Sequence, residues 1–276
     1  MSEDCTREIT LRGSIPQGHA PVNYPYPVDI PSQFAADVLI GELRKVRVTV
    51  AGPSQPTPLT GDQYRSFYRP NMLVSEIVSP PLSEDVKVTL KVSQNLHAAV
   101  YPYVLGAVLG KAKVDADIVG LRMIHNWLGK NDVDTNGAAQ ADGYGANDSF
   151  TPNFMVHFLA FMASRPTFRY FKAGLPVLGR DGTLADVQKS SVAAGRVFAK
   201  TGTYEDDDAL NHGVFLEGAG LAGYTTTPSG EPVAFAAYIN KMPIRDKDGV
   251  AAADRVTAVA FGRLGAIAAS INQGGY

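Results

Sequence analysis

The chain reads as a mixed α/β protein of the α+β kind, with an antiparallel sheet near its C-terminus covered by helices from its middle and its very end. Three observations point there. The β-type runs 220–227 and 232–240 flank Thr227-Pro228-Ser229-Gly230-Glu231, a turn composition that makes them a hairpin. A third β-type run, 195–202, precedes them. Apolar residues at helical spacing fill much of 79–163 and return in the Ala-rich stretch 251–271.

Taken in order, residues 7–14 alternate polar and apolar, which predicts a strand, and a connector with Pro16, Pro21, Pro25, Pro27 and Pro31 follows. Phe34, Val38, Leu39 and Leu43 recur at helical spacing, so a helix is expected over 33–44 with Ser32 as N-cap. Residues 46–50 read as a short strand, and 52–70, rich in Pro, Ser, Thr and Gly, as a linker. This divides the chain into 1–70 and 71–276. Residues 72–78 read as another strand. Ser79-Pro80-Pro81-Leu82-Ser83-Glu84 then opens a helix, with prolines at its start and an acid in its first turn. Helical pattern continues through Lys91 and, after an interruption, over 96–109, 116–128 and 152–163. The last of these is announced by Thr151 as N-cap and Pro152. The acidic run Glu205 to Asp208 is expected as a solvated turn after the 195–202 strand, and 251–271 as one long terminal helix.

Composition narrows the function. Of 276 residues 45% are apolar and 19% charged, ordinary for a globular protein, and the net charge of −2 supplies no basic field to recruit nucleic acid. The most apolar stretch, 98–110, is too short to span a bilayer and contains Pro102. The first residues, MSEDCTREIT, show no apolar core of a signal peptide, and Cys5 alone forms no internal disulfide.

Two short motifs carry chemistry. Lys200-Thr201-Gly202-Thr203 ends a strand. Such a strand can pair with an extended peptide, its lysine and threonine hydroxyls meeting a terminal carboxylate and its glycine letting the backbone approach. The bland reading is a strand entering a turn. Ser93-Gln94-Asn95 breaks two helical runs and sets a hydroxyl beside an amide. The serine can relay a proton to a leaving amine and the asparagine can hold a carbonyl; the bland reading is a polar helix break. Other constellations are weaker. Asp132, Asp134, Asn136 and Gly137 imitate a calcium loop, but Gly143 stands where a bidentate Glu is needed, so a solvated loop is expected. The histidines show no metal spacing, and neither a Gly-x-Ser-x-Gly elbow nor a Gly-rich phosphate loop is present, so no metal or cofactor is expected.

The order of the two motifs, with "SPPLSEDVKVTLKVSQNLHA", "GLPVLGRDGTL", "AGRVFAKTGTY" and "LAGYTTTPSGEPVAFAAYIN", resembles the D-Ala-D-Ala carboxypeptidase/endopeptidases, the low-molecular-mass class C penicillin-binding proteins. The resemblance runs from about residue 7 and is most specific over 79–240. It implies a β-lactamase/transpeptidase-like fold, with residues 1–70 as the tail of a β-rich inserted domain plus linker. It also implies an exported serine acyl-transfer enzyme acting on peptidoglycan stem peptides and bound by β-lactams. By position Ser93, Asn95 and Lys200 would be catalytic. Thr201, Gly202 and Thr203 would bind substrate, the Thr203 N–H as one oxyanion donor.

The sequence departs from that pattern in one decisive place. Such enzymes attack with the serine of a Ser-x-x-Lys tetrad, and here no serine or threonine has a lysine three residues on; after Ser83 the lysine is Lys87, one position too far. The resemblance therefore implies a chain that begins inside the inserted domain with its N-terminal part cut off, the alternative being a natural remnant. The second functional reading is a non-catalytic cell-wall or partner-binding module, and the third a β-lactamase-like hydrolase. Tyr144 replaces a serine the family often shows, and Ala99 an acid.

Overall fold

The computed structural model describes residues 27–51, 69–145, 147–211, 213–244 and 255–275, with isolated positions before and between them. Two compact units divide the chain, Met1–Ile77 and Val78–Tyr276. In the first, α1 (Pro31–Lys45) begins two residues earlier than expected: Pro31 takes the first turn, where its missing N–H costs nothing, and Ser32 lies inside the helix rather than capping it. The expected strand over 7–14 lies largely outside the described residues. Residues 46–50 and 72–78 are not strands. The former leave α1 through a turn, and the latter form a 3-10 turn (Pro70–Met72) followed by irregular chain. β-type residues make a strand only when a neighbour pairs with them, and Val74 and Ile77 stand 97% and 95% exposed.

The second unit carries the sheet. β3 (Phe198–Asp208), β4 (Gly213–Thr226) and β5 (Pro232–Ile244) pair antiparallel in the order β3-β4-β5, which leaves β3 on an edge; a small hairpin, β1 (Ala138–Ala139) with β2 (Ser149–Phe150), stands apart. The chain therefore has the α+β architecture expected of it. The acidic run is a correction. Glu205 to Asp208 continue β3, opposite Leu216 to Gly213, after a register shift between Tyr204 and Glu205, because β4 is long enough to pair with them.

One face of the sheet packs on α7 (Gly262–Asn272), which a π-turn (Thr257–Phe261) precedes; residues 251–254 of the expected terminal helix lie outside the described set. Ala199, Leu221 and Phe235 from the strands and Leu264 and Ala268 from α7 are buried together there. The opposite face meets α5 (Pro152–Ala163) and α6 (Phe168–Gly174): Tyr224 packs with Leu159, Leu175, Phe168 and Phe171, and its buried phenol donates to the Leu159 carbonyl. Thr151 caps α5 as its sequence predicts, accepting the Phe154 N–H.

The remaining helices are α2 (Leu82–Val92), α3 (Asn95–Val104), extended by a π-turn (Leu105–Leu109), and α4 (Ala116–Gly129). Their closest approach needs glycine. A Cβ on Gly106 would lie 1.7 Å from the Ala116 carbonyl oxygen, and one on Gly120 1.9 Å from that of Pro102.

Candidate active site

Helix α2 ends at Ser93, which adopts the left-handed conformation (φ 57°) and returns its N–H to the Thr89 carbonyl. Glycine is the usual residue in such a cap, and serine there is strained. The bend is sharp because α3 begins two residues later, with the Gln94 side chain accepting the Leu96 N–H. A polar clasp holds the two helices together: the Tyr101 phenol donates to Asp85 Oδ2 (2.5 Å) and lies 3.1 Å from Thr89 Oγ1, while His97 Nδ1 is 2.8 Å from Asp85 Oδ1. His97 sits on α3, where the sequence put it, and its partner is this carboxylate.

The Ser93 hydroxyl meets the sheet. Lys200, on β3, donates from Nζ to Ser93 Oγ (2.7 Å) and to the Thr201 carbonyl (2.6 Å). Two motifs 107 residues apart thus share one hydrogen bond. Burial makes the ammonium costly and lowers the Lys200 pKa to about 8. At neutral pH the group is still mostly a cation, close enough to its titration to exchange a proton.

What brings them together is the segment 175–182. Lys91 Nζ, near the end of α2, donates to the Leu175 carbonyl (2.6 Å) and to both oxygens of Asp181 (2.7 Å each). Asp181 Oδ1 also accepts the Val177 N–H. The same segment borders β3, where Ala199 N–H donates to the Pro176 carbonyl and Leu178 N–H to that of Val197. Gly182 is required at the junction: its φ is +59°, and a Cβ would lie 2.6 Å from the Lys91 carbonyl oxygen. Lys91 and Asp181 escape sequence reasoning because they are 90 residues apart. The only signal for them was the turn-forming Asp-Gly within "GLPVLGRDGTL".

Beyond Pro176 no described residue pairs with the outer edge of β3. Ala199 points its N–H outward, so by strand alternation the N–H groups of Thr201 and Thr203 face the same edge. Gly202 and Thr203 are exposed. A Cβ at Gly202 would meet no atom within 4 Å, and its φ lies outside the left-handed region, so the fold itself does not demand glycine there. Thr201 is buried, its hydroxyl 2.7 Å from that of Thr183. Asn95 opens α3, exposed, and its amide makes no hydrogen bond among the described residues. Close by, Gly143 packs on α3, where a Cβ would lie 2.2 Å from the Ala98 carbonyl oxygen; Asp142 Oδ1 accepts the N–H groups of Tyr144 and Gly145, holding that loop with Tyr144 exposed.

Among the described residues no group of three His, Cys, Asp or Glu side chains could hold a metal ion. The loop that imitates a calcium site uses its acids otherwise: Asp134 Oδ1 accepts the Asn136 N–H.

A serine and a lysine are thus joined across a helix end beside a sheet edge. Residues 2–260 match the family model of D-Ala-D-Ala carboxypeptidase 3, S13, and the chain belongs to that family. It is 30% identical over 258 residues to the D-alanyl-D-alanine carboxypeptidase of Actinomadura sp. (strain R39), covering 89% of this chain and 44% of that one. The penicillin-sensitive carboxypeptidase A of Dictyostelium discoideum is 30% identical over 164 residues, 57% of this chain and 29% of that protein. Among solved structures, penicillin binding protein 4 from Haemophilus influenzae, complexed with a β-lactam, superposes with a TM-score of 0.64 at 21% identity, over 88% of this chain and 52% of that one. The chain spans about half the length, or less, of the relatives it matches. No helix among the described residues is long and apolar enough to cross a membrane.

Proposed function

We propose that this chain supplies the substrate-holding side of a D-Ala-D-Ala carboxypeptidase/endopeptidase site outside the cytoplasm, and that it binds the C-terminal end of peptidoglycan stem peptides and the β-lactams that mimic them. The observation that carries this reading is the Lys200–Ser93 hydrogen bond of 2.7 Å beside the open edge at Gly202 and Thr203. An extended peptide would lie along that edge as an added strand. The Thr203 N–H would polarise the carbonyl under attack, and the Thr203 hydroxyl with the Lys200 ammonium would take the terminal carboxylate. Thr201 would join them by giving up Thr183. Ser93, its oxygen already accepting from Lys200, keeps its own proton for the leaving amine, and Asn95 would hold a backbone carbonyl of the peptide.

Acyl transfer also needs an attacking hydroxyl, and no Ser-x-x-Lys is present in the sequence. That absence favours a second reading for the chain acting alone, a module that binds without cleaving. Incubation with a fluorescent penicillin followed by denaturing electrophoresis tests both. No covalent label is expected on these 276 residues. A stable adduct mapped to any serine would show a nucleophile that the tetrad pattern does not describe. Reversible binding of the same penicillin should survive in the wild-type chain and weaken about tenfold in Lys200→Ala, the loss of one charge-assisted contact.

A further inference from the structure

A second cleft lies where β3 begins and α7 ends, with a volume of ≈ 470 Å³, well within the range of small-ligand pockets. None of Ser93, Asn95, Lys200 or Thr203 lines it. Its walls are apolar where Val192, Phe198 and Pro228 face it, and Arg196 is the one charged residue among those that line it.

Arg196 is held by its backbone, and its guanidinium has no partner among the described residues. Its N–H donates to the Ala193 carbonyl, and its own carbonyl accepts the Thr225 hydroxyl (3.2 Å). Thr225 in turn accepts from the amide of Asn272 (3.0 Å), which also donates to the Thr226 carbonyl (2.7 Å). Thr225 and Asn272 are both buried, so β4, α7 and the Arg196 segment share one fixed polar floor. The guanidinium itself forms no ion pair among the described residues. The Thr226 hydroxyl and the Gln273 amide, at the same cleft, have no side-chain partner among them either. The Lys172 ammonium, 4.7 Å from the centre of the Phe198 ring, adds positive potential nearby.

We propose that this cleft binds a monocarboxylate with a compact apolar body, its carboxylate forked on Arg196 and its body against Phe198, Pro228 and Val192. A planar guanidinium without an acid partner matches a carboxylate in two parallel hydrogen bonds. The apolar walls supply the selectivity: Val192, Phe198 and Pro228 favour a carboxylate that carries an apolar body, which inorganic phosphate lacks. The carboxylate belongs either to a free acid or to the end of a peptide chain.

Saturation-transfer NMR with phenylacetate as probe tests this on the full chain. Phenylacetate should receive saturation from the wild type and from Lys200→Ala alike, and its affinity should fall about tenfold in Arg196→Gln. Inorganic phosphate should not displace it. A pentapeptide ending in Phe with a free carboxyl identifies the source: displacement by it marks a chain terminus, and failure to displace marks a free acid. Unchanged binding in Arg196→Gln overturns the proposal, as does loss in Lys200→Ala alone, which would put the probe on the β3 edge. Displacement by phosphate would overturn the role of the apolar walls. Circular dichroism reports whether Arg196→Gln folds; if it does not, Thr226→Val decides, with weaker binding upholding the site and unchanged binding rejecting it.

Discussion

Lys200 is the residue on which the site turns, and its environment has a measurable cost. Burial lowers its pKa from 10.5 to about 8. Below pH 8 the folded and unfolded chains both carry the proton, and the fold bears the full penalty of a buried charge, on the order of 3 kcal/mol. Between pH 8 and 10.5 the unfolded chain binds more protons, so stability rises with pH across that window. Lys200→Met should therefore melt higher than wild type at pH 7, and the difference should shrink toward pH 10 in thermal melts followed by circular dichroism. A difference independent of pH would contradict the buried ammonium. Ligand binding runs the opposite way, since a carboxylate needs the cation, and should weaken as pH rises through about 8. Lys200 and Ser93 were legible in the sequence because each sits in a short motif with its own chemistry. The inward turn of Thr201 was not: it depends on which face of β3 meets Thr183, and that is set by the packing of α7 on the sheet.

Among the elements, α2 and β3 are the pair that matters, and segment 175–182 joins them. Lys91 is half-buried against Asp181 and the Leu175 carbonyl, and an amide in place of the carboxylate removes its counter-charge and one of its three acceptors. Asp181→Asn should cost about 2 kcal/mol, less than a fully buried pair because the carboxylate is partly exposed. It should also weaken binding of reversible β-lactams at the β3 edge, because Ser93 loses its anchor; a destabilised variant that binds as tightly as wild type would separate the clamp from the site. The helices were legible from their periodicity and caps, as Thr151 with Pro152 shows. The strands misread over 46–50 and 72–78 fail for one reason: β-type composition is local, while pairing depends on a distant partner that these segments do not find. The acidic end of β3 failed in reverse, charged residues being held in a strand by β4. Its charges suit an edge, where they deter pairing with other chains and leave the uncharged stretch at Gly202 and Thr203 open.

For the whole molecule, apolar burial is uneven. The sheet and α7 enclose a core with many fully buried side chains, whereas α2, α3 and α4 leave Val92, Leu96, Val104, Leu109 and Ile118 exposed. Apolar surface of this extent on neighbouring helices marks an interface or an aggregation liability. The isolated chain should therefore bind a hydrophobic dye and self-associate in sedimentation experiments. A monodisperse sample with a single cooperative melt would contradict that. The fold class was legible because hairpin, helices and motifs occur in one order along the sequence; the coming together of Ser93 and Lys200 was legible only through the family resemblance, since nothing local to either motif encodes a contact across 107 residues. The central claim is that this contact and the adjoining edge hold a peptide's terminal carboxylate. Calorimetric titration with a stem-peptide analogue ending in D-Ala-D-Ala, against the same peptide as its C-terminal amide, tests it most directly. The account predicts that the free acid binds at least tenfold more tightly and that Lys200→Ala abolishes the difference; equal affinities for acid and amide in the wild-type chain would contradict it.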